Sequence, residues 1–172
     1  VAGKRGIKTV RDMILSMALI SACAGGIYLF IPHDDTADPI KPVDYRVELA
    51  TARRAAPYPV AAPEGLAQEW KPTSVTYKGA EGSAWHLGFL DPDREYVAVE
   101  QSTAPAEKYL EEITHGAADT GRTQQVAGQT WKQWEGPKYD ALVRLENGTT
   151  TVVTGTAPLE RLAEMAAALK TS

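Results

Sequence analysis

Ala141–Arg161 reads ALVRLENGTTTVVTGTAPLER and holds a hairpin followed by the start of a helix. Asn147-Gly148 is the strongest two-residue hairpin signal, because both positions tolerate positive φ. A turn there sets Val143 opposite Val152, Leu145 opposite Thr150 and Ala141 opposite Thr154, with Leu142 and Val153 on the other side. Apolar residues on both sides predict a sheet partly covered on both faces near this end. Thr156 is then placed to cap a helix, Pro158 falls in its first turn, and Glu160 sits near the positive end of its dipole. The helix is expected over Pro158–Lys170, with Leu159, Leu162, Ala163, Ala166 and Leu169 on one face.

The same lettering occurs earlier, as TAPAEK at Thr103–Lys108. Thr103, Pro105 and Glu107 repeat the capping pattern ahead of a helix over Pro105–Ile113, whose Ala106, Tyr109, Leu110 and Ile113 share a face. Before it, Trp85–Leu90 and Glu95–Gln101 form a hairpin around Asp91-Pro92-Asp93-Arg94, where proline presets φ and aspartate favours the turn. Ser74–Lys78 is a strand rich in β-branched residues. Gln125–Glu135 is a strand, or a bent pair around Gly128. The chain twice writes strand, strand, capped helix, by an ancient duplication or by two uses of one strand-to-helix turn. The fold class is α+β: an antiparallel sheet with two helices packed on it, preceded by one N-terminal transmembrane helix.

That last element is read from MILSMALISACAGGIYLFIP, Met13–Pro32, a run with no charge. At about 1.5 Å per residue it spans about 30 Å, a bilayer core. Lys4, Arg5, Lys8 and Arg11 against Asp12 give the first twelve residues +3, so the remainder carries −7 of the chain's net −4. Basic residues before the run and Asp34, Asp35 and Asp38 after it place the N-terminus in the cytoplasm and the rest outside. Four parts follow: a basic cytoplasmic tail over 1–12, the membrane helix over 13–32, a proline-rich tether over 33–64 and a globular body over 65–172. Within 33–64 the prolines predict extended chain, and DYRVELATARRAA is either a strand turning into a helix or one helix. Val1 fits an alternative start codon, in which case this is a complete reading frame.

The helix has two further features. Ala18, Ala22 and Gly26 lie four apart, with Ser21 and Gly25 on an adjoining row, the small-residue spacing that lets membrane helices pack closely. Ile20-Ser21-Ala22-Cys23 fits a bacterial lipoprotein box, in which Cys23 would be lipidated. Against lipidation, the chain stays apolar over Ala24–Ile31; against a cleaved signal peptide, the run is longer than such a peptide's apolar core and no A-x-A site closes it.

Chemistry is sparse. The single Cys23 excludes an internal disulfide framework and a zinc site of several cysteines. His33, His86 and His115 have no second histidine or cysteine at ligand spacing, so no metal or cofactor is expected. No nucleophile elbow, phosphate loop or dinucleotide fingerprint is present, and the acidic body argues against nucleic acid. Glu100 can pair with His86 on the neighbouring strand, which reads as a structural hydrogen bond. Trp131 and Trp134, three apart on a strand, point to opposite faces, so one is expected to reach solvent as a contact surface. Asn147-Gly148-Thr149 also spells a glycosylation sequon, better explained by the turn.

WHLGFLDPDREYVAVEQS (Trp85–Ser102), VVTGTA (Val152–Ala157) and VRDMILSMAL (Val10–Leu19) resemble an actinobacterial membrane-anchored family, domain of unknown function 4245. The resemblance spans nearly the whole chain; it implies location and anchor and no established activity. The expected role is a non-catalytic accessory or binding subunit in the cell envelope, its partners the bilayer and another membrane protein. A stand-alone ligand-binding or sensing module would instead need an apolar pocket between sheet and helices. A hydrolase would need a cleft gathering His86 or His115 with acids. The anchor is open to a direct check. Intact mass after detergent extraction should give the uncleaved chain, and a product beginning at a diacylated Cys23 would replace the helix with a lipoprotein anchor.

Overall fold

The computed structural model describes residues 4–30 and 41–171, with side chains for 10–26 and 41–171. The chain divides into two compact units, Val1–Pro39 and Ile40–Ser172. In the first, helix α1 runs over Lys4–Phe30. Its Met13, Ile14, Leu15, Met17, Leu19 and Ile20 are each more than half exposed. Among the described residues, no helix is long and apolar enough to cross a membrane. The span read from Met13 to Pro32 ends beyond the described residues.

The second unit begins at Ile40, well before the body expected from residue 65. Arg46–Ala55 forms helix α2, which settles the open reading of that stretch as one helix and buries Ala52 fully. The proline-dense chain after it is extended but is not tether. Tyr58, Val60, Ala61 and Ala62 are buried, and strand β1 (Ala62–Pro63) pairs with β9 (Leu169–Lys170). Proline removes amide donors without removing the drive to bury apolar surface. Side chains therefore hold this segment down: Trp85 Nε1 donates to the Ala61 carbonyl at 3.0 Å, and the Ala61 amide donates to Gln101 Oε1 at 2.7 Å.

Seven strands form one antiparallel sheet: β2 (Lys71–Lys78), β3 (Ala84–Leu90), β4 (Tyr96–Ser102), β5 (Ala118–Val126), β6 (Gln129–Glu135), β7 (Asp140–Glu146) and β8 (Thr149–Gly155), in the order β2-β3-β4-β8-β7-β6-β5. The hairpin register is the one the Asn-Gly turn predicts, with Val143 on Val152, Leu145 on Thr150 and Ala141 on Thr154. Asn147 and Gly148 both take positive φ. A second turn of this kind, at Ala127-Gly128, resolves Gln125–Glu135 as part of a β5–β6 hairpin.

Both faces are covered. Trp85, Leu87, Phe89, Val97, Val99, Leu142 and Val153 form the front core with α2 and with Leu162, Met165 and Ala166 of helix α4 (Leu159–Ala168). Ala141, Val143 and Val152 pack on the back against Leu110 and Ile113 of helix α3 (Ala106–Thr114). The two TAP-headed helices thus lie on opposite faces. A twofold perpendicular to the sheet, the operation relating neighbouring antiparallel strands, would keep them on one face, so the repeated letters mark a local device rather than a repeated domain.

That device also differs from its expected chemistry. Pro105 and Pro158 occupy the N-cap positions and no side chain caps either helix. Thr103 Oγ1 instead donates to the Gly82 carbonyl at 3.0 Å. Thr156 Oγ1 accepts the Tyr96 amide at 3.0 Å and donates to Glu95. Both helices begin one residue beyond the proline, which leaves the threonines two positions too far upstream to cap. The last helix ends at Ala168 rather than Lys170, because Leu169 and Lys170 pair with β1.

The centre of the sheet gives a test. A Cβ on Gly155 would lie 1.8 Å from the Tyr96 carbonyl oxygen and 3.0 Å from Val97 Cα, both backbone. Gly155→Ala should lower the unfolding free energy by about 3 kcal/mol or more, read from urea midpoints. Gly128→Ala, with open space but a φ of 78°, should cost about 1 kcal/mol.

Candidate functional site

On β3, alternation sends Trp85, Leu87 and Phe89 to the front core and leaves His86 and Gly88 on the back. The β3–β4 register sets His86 opposite Glu100, and their side chains meet, with Nδ1 2.6 Å from Oε1. On the other side, His86 Nε2 lies 2.8 Å from Ser74 Oγ. Ser74 is placed by an irregularity in β2 that shifts its register between Pro72 and Ser74. Tyr109, from α3, donates to Glu100 Oε2 at 3.4 Å. At the far end the Tyr96 ring and hydroxyl stand beside Ser74, over Gly88. A hydrogen-bonded row, Ser74–His86–Glu100–Tyr109, therefore crosses the back of the sheet, with Tyr96 flanking its Ser74 end.

Gly88 makes the row possible. A Cβ there would lie 2.4 Å from Ser74 Oγ and 3.1 Å from both the ring and the hydroxyl of Tyr96. Burial is the largest influence on His86 and acts to lower its pKa, but the hydrogen bond it donates to Glu100 and the charge of that carboxylate together outweigh it, so the imidazole titrates above its ordinary value. Burial, then the charge of Glu100, pushes the Tyr96 hydroxyl up to about 12. The same two causes, in the same order, raise Tyr109, which keeps it a proton donor.

Beside this row a cavity of about 480 Å³ opens between the sheet and α3. Ala84, Ala104, Pro105 and Ile113 give it apolar walls; His86, Glu100 and Tyr109 form its floor; Lys78, Glu81, Lys108 and Glu112 stand at its mouth. The pair expected between His86 and Glu100 is thus formed, and it lies in a cleft between sheet and helix. Ser74 does not line that cleft.

The other sequence candidates lie elsewhere. Trp131 is buried in the front core region and Trp134 packs, partly buried, in the back cluster. They do face opposite ways, yet neither is an open contact surface, since helices or side chains cover both faces; Arg144 lies over the Trp131 ring at 5.2 Å. Ala18, Ser21, Ala22, Gly25 and Gly26 lie on α1, where an added Cβ at either glycine would meet nothing within 4 Å. Cys23 is exposed on the same helix. His115 takes the left-handed position closing α3 and stacks edge-on against Tyr139 at 4.9 Å. His33 lies outside the described residues. Among the described residues no three His, Cys, Asp or Glu side chains converge as a metal site.

Sequence reasoning missed Ser74, Tyr109, Lys108 and Glu112. The one available signal was Gly88 inside an otherwise bulky strand, WHLGFL, since a strand glycine often marks close approach by a neighbour.

A family model described as "Protein of unknown function (DUF4245)" matches residues 5–169. No curated protein matches the chain.

The His86–Glu100 pair has a definite pH signature. With the folded pKa raised, the pair's contribution to stability is complete below the ordinary histidine value and is lost as pH rises through the folded one. The His86 ring resonance should titrate above the ordinary value. In Glu100→Gln, where burial acts alone, it should titrate below it, and the fall in urea midpoint over that pH window should vanish.

Proposed function

Since the chain belongs to the DUF4245 family of proteins of unknown function, membership supplies no activity, and we propose a role from its own residues. It is a single-pass membrane protein whose body stands outside the cytoplasm and serves, without catalysis, as an accessory or binding subunit of a membrane or envelope complex. One observation carries the reading. The uncharged run from Met13 to Pro32 falls largely on a helix whose Met13, Ile14, Leu15, Met17, Leu19 and Ile20 are each more than half exposed. A helix apolar all round is stable where hydrocarbon covers it, and water does not. The basic residues before the run and the aspartates after it orient the chain with its N-terminus inside.

The companion is inferred from the row of small residues. Gly25 and Gly26 leave room for another helix to approach closely, and such rows are where membrane helices pack. The exposed Cys23 keeps lipid attachment as the alternative anchor, with the body outside in either case.

A second reading, a stand-alone ligand-binding module, is favoured by the cavity under α3. Its size falls in the range of small-molecule sites, and its walls are apolar with few polar groups.

Alkaline phosphatase, active only outside the cytoplasm, should be active when fused after Ser172, and a reporter that works only in the cytosol should be silent there. After gentle detergent extraction from its own host, the tagged protein should bring down a membrane protein, and Gly25→Leu with Gly26→Leu should lose it without changing the topology. A strictly solitary protein would remove the accessory role, and an active cytosolic reporter would remove the placement.

A further inference from the structure

We infer that the cavity beneath α3 recognises a small organic cation, an amine on an aliphatic or aromatic body, held at its floor by Glu100 and Tyr109. The inference deepens the stand-alone ligand-binding reading and rests on it.

The argument is a count of donors and acceptors. Both ring nitrogens of His86 are committed, Nδ1 to Glu100 and Nε2 to Ser74. Glu100 Oε1 is taken by His86, while Oε2 has only the Tyr109 hydroxyl, at 3.4 Å. An ionised carboxylate offers about four acceptor sites, so a buried Glu100, 8% exposed, keeps acceptor capacity facing the cavity. Tyr109, whose hydrogen points at Glu100, has lone pairs left as well. The floor therefore takes donors and offers none. Leaving buried acceptors unmet is costly, and a hydrogen bond to a charged one is among the stronger kinds.

The mouth does not override this sign. Lys78 pairs with Glu81 at 3.0 Å, and Lys108 and Glu112 stand one helical turn apart on α3, so the two lysines and two glutamates there balance. Between mouth and floor the walls are Ala84, Ala104, Pro105 and Ile113, which suit a hydrocarbon body, with Thr76, whose hydroxyl donates to the Val75 carbonyl at 2.8 Å. A carboxylate or phosphate would instead meet Glu100 at a floor whose own hydrogens are committed, its cationic partners Lys78 and Lys108 standing only at the mouth.

His86 makes the site responsive to pH. The charged groups facing it are Glu100 from β4, Lys78 at the end of β2 and Glu81 in the turn after it, and Lys108 and Glu112 from α3, with the neutral hydroxyls of Tyr109 and Tyr96 beside them. While His86 is neutral, the floor carries the full charge of Glu100. Once His86 is protonated, that charge is compensated internally and an incoming cation gains less.

The test uses the full chain in lipid nanodiscs and three probes that share one cyclohexyl body: cyclohexylammonium, cyclohexanol and cyclohexanecarboxylate. The readout is the methyl resonances of Ala84 and Ala104. Cyclohexylammonium should shift both saturably and bind more tightly than the other two. Glu100→Gln should weaken it by about tenfold or more, the scale of one charge-assisted hydrogen bond. Ile113→Trp, which fills the cavity, should abolish it, and acidification through the His86 titration should weaken it. Stronger binding of cyclohexanol or the carboxylate would overturn the cation while leaving a ligand-binding cavity in place. Saturable binding by none of the three would overturn both. Should Glu100→Gln fail to fold, Tyr109→Phe and the pH series in the parent chain decide, and amine binding indifferent to both would overturn the assignment.

Discussion

The pairing of Tyr96–Ser102 with Thr149–Gly155 is the joint on which this body depends. It is the contact through which the meander β2-β3-β4 and the meander β5-β6-β7-β8 become one sheet. Its residues are buried on both sides: Val99 opposite Val153 in the front core, Glu100 opposite Val152 toward the back. The two backbones run so close at Gly155 that no side chain fits there. The rest follows from the joint. α3 leaves β4 and crosses behind the sheet to begin the second meander, and α4 leaves β8 and closes the front. The proline-rich stretch ending in β1 is then fixed against the end of α4 through β9.

A strand buried on both faces has no natural place for a carboxylate, yet β4 carries Glu100 near its centre. Burial of a lone charge is expensive, and removing one partner of a buried pair is more damaging than never having had the pair. The structure meets this with His86 on the neighbouring strand and Tyr109 from the crossing helix, and Gly88 gives Ser74 and Tyr96 the space to extend the row. The polar row and the cavity beside it therefore have one origin. α3 packs closely only where the back is apolar, against Ala141, Val143 and Val152. Over His86 and Glu100 on the back of β3 and β4 a gap remains beneath it, and that gap is the cavity.

Where local chemistry decides the outcome, the sequence is a good guide. Asn147-Gly148 dictates a turn, the turn dictates the register of β7 on β8, and alternation then says which residues share a face. His86 and Glu100 were readable as partners for the same reason, since they flank one short hairpin. Legibility fails where tertiary packing overrides local preference. The prolines of 57–63 announce extended chain truly, but nothing local says that Val60, Ala61 and Ala62 will lie buried on the sheet. Thr103 and Thr156 look like caps because the letters match, whereas their hydroxyls are drawn to strand ends that the fold brings near. Ser74 could not be matched to His86 from sequence, because the irregularity in β2 sets the pairing. The strand Ala118–Val126, polar and bearing Gly121, shows no alternation to read.

The row Ser74–His86–Glu100 has the hydrogen-bond order of a nucleophile, a base and an orienting acid, and its approach path argues against that use. A nucleophile needs a site about 3 Å from its oxygen where a carbonyl can sit. Ser74 Oγ instead rests over Gly88, beneath Tyr96, and does not border the cavity. Proton transfer along the row would end on an oxygen that no substrate in the cavity reaches. Glu100 is placed the other way round: it borders the cavity together with His86 and Tyr109, and only Ser74 lies away from it. The same residues that would make a poor catalyst thus make a buried acceptor with a titratable group beside it. Such an arrangement would distinguish ligands by charge without changing a covalent bond, as the binding role proposed above requires.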